Sequence, residues 1–109
     1  MSATVWGADV LRQASGTIFD GRYTTGAMLT WNQPTGTLSA TTSCSGAGAG
    51  YSTAVMCTFT YNGVVAEGPV INSGTTIATL SRPGYGFVGA VSDHTVRYGN
   101  DQWSTRLTY

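Results

Sequence analysis

The clearest pattern in the chain is an alternation of apolar and polar residues in the first half of the stretch from Tyr51 to Ile71. Val55, Cys57 and Phe59 fall on one side of this segment, and Thr58 falls on the other. A period of two residues is typical of a β-strand that buries one face against a core. The pattern therefore predicts a central strand of an all-β domain.

A tight turn follows this strand. Asn62-Gly63 comes directly after Tyr61, and Val64 and Val65 then start a second apolar run. Because Asn and Gly adopt positive φ at low cost, the pair favours the two-residue turn whose twist suits a β-hairpin. We predict that the two runs form the central hairpin of the domain.

Turn signals recur about every ten residues, with short segments rich in β-branched residues between them. The predicted turns are Asp20-Gly21, Gln33–Gly36, Asn72–Gly74, Ser81–Gly86, Ser92–His94 and Gly99–Asp101. This spacing is typical of a sandwich or barrel of about seven to nine strands. We predict a single domain over residues 1–109, folded as an antiparallel β-sandwich.

Thr4–Gln13 is the one segment whose spacing suits a helix. Trp6 and Val10 lie four residues apart, and Leu11 joins them on the same side. Gly7 disfavours a helix, and the alternative is a first strand with a bulge at Gly7. An apolar helix outside the sandwich would bury its face in the core or against a partner chain.

The charges exclude several classes of partner. Five arginines balance five acidic residues, lysine is absent, and the net charge is zero. Such a chain has no field to attract phosphate groups, so we expect neither nucleic-acid nor anionic-membrane binding. No apolar run is long enough to predict membrane insertion. The N-terminus lacks signal-peptide features, which indicates an intracellular protein or a mature secreted form.

Few residues in the chain suggest catalysis. His94 is the single histidine, and no Gly-X-Ser-X-Gly elbow, zinc-ligand spacing or phosphate-binding loop is present. We therefore expect a protein that is not an enzyme and holds no metal or cofactor. Cys44 and Cys57 are candidates for a disulfide that would tie Ser43–Gly50 to the central strand, and the alternative is a pair of buried thiols.

Two stretches combine an aromatic residue with planar polar groups, which suits carbohydrate binding. Trp31 and Asn32 lie in the first, and Asn100, Asp101 and Trp103 lie in the second. An aromatic ring can stack on the C–H face of a sugar while amides and carboxylates bond its hydroxyls. Alternatively, both tryptophans belong to the core and Asn100-Asp101 is only a turn.

Tyr85 is the third candidate for ligand contact. It lies in the Gly-flanked loop Ser81–Gly86, together with Arg82. Exposed Tyr and Arg side chains are frequent anchors of binding interfaces. The alternative is a tyrosine folded back over the edge of the sheet.

The second half of the chain resembles the fungal immunomodulatory proteins, which are small lectin-like proteins of mushrooms. The resemblance rests on Phe59–Gly63, Gly74–Ile77, Gly84–Gly86 and Thr95-Val96. It implies an immunoglobulin- or fibronectin-like sandwich, an N-terminal dimerisation helix, and glycan binding that agglutinates or stimulates cells. The two cysteines, the lack of lysine and the Gly-Ala stretch depart from the family pattern.

These observations lead to three hypotheses on function. The first is a lectin-like homodimer that binds neutral glycans or glycoproteins, in which two sites add avidity. The second is a protein-binding module, such as a protease inhibitor or secreted effector, that uses Arg82–Tyr85 as its contact. The third is a non-catalytic structural protein of a surface.

Overall fold

The computed structural model describes residues 9–45, 51–72, 74–84 and 86–109. Within these ranges the chain forms two antiparallel four-stranded sheets that pack face to face, which confirms the predicted β-sandwich. The strands are β1 (Asp9–Ile18), β2 (Tyr23–Asn32), β3 (Thr37–Ser45), β4 (Tyr51–Tyr61), β5 (Val64–Asn72), β6 (Thr76–Ser81), β7 (Gly89–Tyr98) and β8 (Asp101–Thr108).

The strand order is immunoglobulin-like. The first sheet has the order β1-β2-β3-β6 and the second has the order β5-β4-β7-β8. If β2 to β8 are equated with strands A to G of an immunoglobulin constant domain, the sheets become A-B-E and D-C-F-G. The fourth strand has therefore moved to the other sheet, and β1 is an additional edge strand.

The predicted central hairpin is present with the predicted turn. Asn62 and Gly63 connect β4 to β5, and their φ angles are 46° and 88°. β4 lies between β5 and β7, so it is an inner strand of its sheet. The side chains on its predicted inward face are buried: Val55, Cys57, Phe59 and Tyr61. The alternation in the sequence thus identified the buried face of β4.

The predicted turn at Ser92–His94 is wrong, because these residues continue β7. Ser92 and His94 point inward and are buried, whereas Asp93 points outward and forms an ion pair with Arg106 at 2.7 Å. The polar residues suggested a turn, but inside the sandwich they form hydrogen bonds with each other and with Thr42. The side chains of β7 therefore keep alternating between inward and outward positions, because the inward polar residues have hydrogen-bond partners that the sequence does not reveal.

The helix considered for Thr4–Gln13 is wrong where the structure describes it. Asp9–Gln13 belongs to β1, which pairs with β2 as the strand alternative required. The register shifts between Val10 and Arg12. Thr4–Ala8 lies outside the described residues.

The interior contains two apolar clusters with buried polar side chains between them. The larger cluster includes Leu29, Leu38 and Phe59, and the smaller one contains Ile18 and Val96. The polar residues occupy inward positions between the clusters along the strands. We call this set the polar layer: Thr25, Thr42, Thr53, Thr76, Ser92 and His94.

The two cysteines are free thiols in the structure, as the alternative to a disulfide predicted. Cys44, on β3, belongs to the smaller cluster, and Cys57, on β4, belongs to the larger cluster and is completely buried. Burial raises the pKa of Cys57 to about 12 and also raises the pKa of Cys44. Neither thiol is therefore ionised at neutral pH in the folded protein.

Edge strands β1 and β8 close one side of the sandwich through Gly16 and Trp103. A Cβ atom on Gly16 would lie 2.2 Å from the indole Nε1 of Trp103. Trp103 is half-buried and packs against both apolar clusters, so its ring has little room to move. The close approach of β1 to β8 therefore requires glycine at position 16.

We expect Gly16→Ala to lower the free energy of unfolding by about 1–3 kcal/mol, because the new methyl group overpacks the indole. Urea unfolding followed by tryptophan fluorescence measures this change. Gly86→Ala is the matched control, since a Cβ there meets nothing within 4 Å. Equal stability of the two variants would contradict the packing described for Trp103.

We also expect both cysteines to resist thiol reagents in the folded protein and to react fully in denaturant, because the thiolate is the reactive form. Labelling with a chromogenic disulfide reagent, with and without urea, measures this difference. Rapid labelling of either cysteine in the native protein would show that the thiols are accessible. Loss of labelling in denaturant under non-reducing conditions would reveal a disulfide.

Candidate functional site

A groove of about 550 Å³ opens at one end of the sandwich. The β2–β3 turn, the loop before β7 and the segment after β8 meet there. Aromatic side chains of Trp31, Phe87 and Tyr109 line it, together with the polar residues Asp9 and Gln33. The volume lies within the range of small-molecule sites. We call this feature the terminal groove.

The aromatic side of the terminal groove is supported by the core. The ring centroid of Trp31 lies 4.6 Å from that of Phe87 and 5.4 Å from that of buried Phe59. The Phe87 ring lies 5.6 Å from that of Tyr109, which is 50% exposed. Trp31 and Phe87 are thus held by packing, and Tyr109 presents an accessible ring beside them.

Tyr109 is fixed at its backbone and at its ring. Its N–H donates to the Ala90 carbonyl at 2.9 Å, and its carbonyl accepts the Ala90 N–H at 3.1 Å. The guanidinium carbon of Arg12 lies 4.9 Å from the ring centroid. These contacts place the ring at the edge of the terminal groove.

The β2–β3 turn and the loop before β7 are joined by the backbone. Gly36 accepts the Arg82 N–H at 2.9 Å, and a Cβ on Gly36 would lie 2.5 Å from the Arg82 carbonyl oxygen. Asn32 Oδ1 accepts the Thr35 N–H at 3.2 Å, so the predicted ligand residue Asn32 supports the turn. The neighbouring Gln33 is exposed and lines the terminal groove.

The structure brings together two of the stretches predicted from the sequence. Trp31 and Gln33 line the terminal groove, and so do Gly84 and Gly86 from the predicted contact loop. Tyr85 itself lies outside the described residues. Asp9, Phe87 and Tyr109 had not been predicted, and no motif in the sequence indicates that they meet.

The predicted binding stretch that contains Asn100, Asp101 and Trp103 lies at the opposite end of the sandwich. Asn100 lies in the β7–β8 turn and Asp101 begins β8, close to the aromatic residues Phe19 and Tyr23. Tyr23 and Trp31 lie on the same strand, so the two ends are separated by roughly 26 Å at the usual rise per residue. The two predicted binding stretches therefore do not form one site.

Asp101 supports a turn with both of its carboxylate oxygens. Oδ2 accepts the Phe19 N–H at 2.7 Å, and Oδ1 accepts the Gln102 N–H at 3.0 Å. Phe19 and Asp20 have φ angles of 57° and 54°, a conformation that is costly for side chains larger than glycine. The carboxylate thus stabilises a strained β1–β2 turn, while the neighbouring Asn100 is exposed.

The aromatic residues at this second end pack against one another. The Tyr98 ring centroid lies 4.5 Å from that of Phe19 and 5.4 Å from that of Tyr23. A side-chain hydrogen bond to Tyr98 raises the pKa of Tyr23. The predicted ligand residue Trp103 packs beside this cluster and the larger one, as its core interpretation required.

The described residues include neither a metal-ligand cluster nor a membrane-spanning helix. They contain no group of three or more His, Cys, Asp or Glu side chains that could hold a metal ion. They also contain no helix long and apolar enough to cross a membrane. His94 is 1% exposed, so its imidazole does not reach either end of the sandwich.

Comparisons of the chain with protein-family models, characterised proteins and solved structures found no match.

We expect Asp101→Ala to lower the free energy of unfolding by about 1 kcal/mol, because Phe19 loses a charge-assisted hydrogen bond. The Phe19 amide should also exchange its hydrogen faster, which NMR in D₂O measures. Asn100→Ala is the control, since that side chain is exposed in the same turn. Unchanged stability and exchange in Asp101→Ala would show that the carboxylate does not hold the β1–β2 turn.

Proposed function

We propose that the protein is a lectin-like protein that binds neutral carbohydrate in the terminal groove. The observation that carries this proposal is the aromatic surface of Trp31, Phe87 and Tyr109 beside the polar residues Asp9 and Gln33. A sugar has an apolar C–H face that can stack on an aromatic ring and hydroxyls that can bond an amide or carboxylate. Both kinds of group are available in one concave site.

The charge of the site favours a neutral ligand. Asp9 and Arg12 carry opposite charges near the terminal groove, and the whole chain has zero net charge. No excess of positive charge is therefore available to attract sulfated or sialylated glycans. Neutral glycans, alone or on glycoproteins, are the ligands that we propose.

The resemblance to fungal immunomodulatory proteins supports the same proposal, because those proteins are lectin-like. Cell agglutination or immune stimulation requires at least two sugar sites in one assembly. A homodimer would provide them and would add avidity to a weak individual site. Agglutinating activity is therefore part of the proposal and depends on self-association.

The first test is a broad array of glycans, followed by calorimetry with the best ligand. We expect Gln33→Ala and Tyr109→Ala each to weaken binding roughly 5- to 30-fold, the equivalent of about 1–2 kcal/mol. Both side chains are exposed, so the variants should fold normally.

Asn100→Ala, at the opposite end, is the matched control and should bind like the unaltered protein. Loss of binding in Asn100→Ala, with retention in the other two variants, would place the site at the β7–β8 turn instead. A blank array from folded protein would contradict carbohydrate binding altogether.

Exposed apolar side chains at one end of the second sheet favour protein binding as the second candidate function. Val64, Val65 and Val88 are 51%, 57% and 73% exposed. Val88 donates its N–H to the Thr60 carbonyl, and Thr60 pairs with Val65 across the hairpin, so the backbones of Val65 and Val88 lie on either side of β4. If the array is blank, Val65→Asp and Val88→Asp become the variants with which to test binding to a candidate protein.

A further inference from the structure

A buried histidine connects the two sheets. Nδ1 of His94, on β7 of the second sheet, lies 2.8 Å from Oγ1 of Thr42, on β3 of the first. Nε2 of the same ring lies 2.7 Å from Oγ of Ser92. His94 and both hydroxyl partners are buried. Neither the fold prediction nor the proposed sugar site gives this imidazole a role.

The hydrogen bonds favour one position for the proton of the neutral ring, on Nδ1. When Thr42 Oγ1 donates its only proton to the Ala54 carbonyl at 3.0 Å, it accepts from His94 Nδ1–H. In a neutral imidazole the other nitrogen then has no proton, and Nε2 accepts from the Ser92 hydroxyl. With a neutral ring, the Ser92 hydroxyl, both ring nitrogens and the Thr42 hydroxyl can therefore all be hydrogen-bonded.

We propose that His94 is an acid-sensitive latch: the imidazole ties the two sheets together only in its neutral form, because the folded sandwich disfavours a proton on Nε2, so acid shifts the equilibrium towards the open, unfolded chain. A second proton on the ring turns Nε2 into a donor, so the Ser92 hydroxyl must reverse and its own proton loses its acceptor. The ring would also become a buried cation between the sheets, which is costly without a counter-charge.

Of the described titratable groups around His94, only Asp93 carries a negative charge, and it only partly offsets the cost of burying a charged imidazole. Asp93 is next to it on β7, but its carboxylate faces the other side of the sheet and pairs with Arg106. Cys57 of β4 and Cys44 of β3 are buried thiols whose pKa values are raised. They are therefore neutral in acid and offer no negative charge.

The direction of the pH effect follows from these surroundings. Burial lowers the pKa of His94 from 6.5 to about 4, although Asp93 and the backbone of Thr41 partly oppose it. Between these two values the unfolded chain binds a proton that the folded chain does not, so stability falls as the pH falls. The unfolding equilibrium constant should rise about twenty-fold from pH 7 to pH 5.

The test is urea unfolding of the full chain at pH 7, 6 and 5, combined with NMR of ¹⁵N-labelled histidine. We expect the twenty-fold rise, the Nδ1–H tautomer at pH 7, and an imidazole that stays neutral at pH 5 in the folded protein. Because the chain has a single histidine, its imidazole signals need no assignment. Titration near pH 6.5 in the folded protein, or equal unfolding constants at pH 7 and 5, would overturn the proposal.

Two variants separate the latch from general acid sensitivity. His94→Gln cannot gain a proton in this range, so its unfolding constant should be the same at pH 7 and pH 5. Asp93→Asn removes the neighbouring surface ion pair and should keep the pH dependence of the unaltered protein. A dependence that persists in His94→Gln, or disappears in Asp93→Asn, would assign the effect to other groups. If His94→Gln does not fold, the NMR titration decides.

Discussion

The fold depends on the polar layer between its two sheets. Thr42 and His94 form a hydrogen bond across the interior, and Thr53 of β4 is bonded to Thr76 of β6 in the same way. Each bond joins one strand of the first sheet to one strand of the second. Directional bonds of this kind fix how the sheets lie on each other, which apolar packing alone specifies less sharply.

The two ends of the sandwich use similar residues for different purposes. At the β7–β8 turn, the carboxylate of Asp101 is occupied by backbone amides, and the aromatic rings pack on one another. At the terminal groove, the ring of Tyr109 and the side chain of Gln33 remain exposed beside the supported Trp31. This contrast is why the terminal groove is the better candidate for a ligand site.

The sequence predicted the features that depend on neighbouring residues. The alternation in β4 and the Asn62-Gly63 turn are local, so the central hairpin was predicted correctly. Ser92 and His94 were misread as a turn because the hydroxyl that accepts from the imidazole lies 52 residues away. The terminal groove was missed for a similar reason, since non-local pairing brings its walls together.

The most direct test of the binding site is an NMR titration of ¹⁵N-labelled protein with the tightest-binding neutral glycan. The account predicts that the amide signals of Gln33, Gly84, Gly86 and Phe87 shift, while those around Asn100 do not. Shifts centred on Phe19 and Asn100, or no shifts at saturating glycan, would contradict the assignment of the terminal groove as a carbohydrate site.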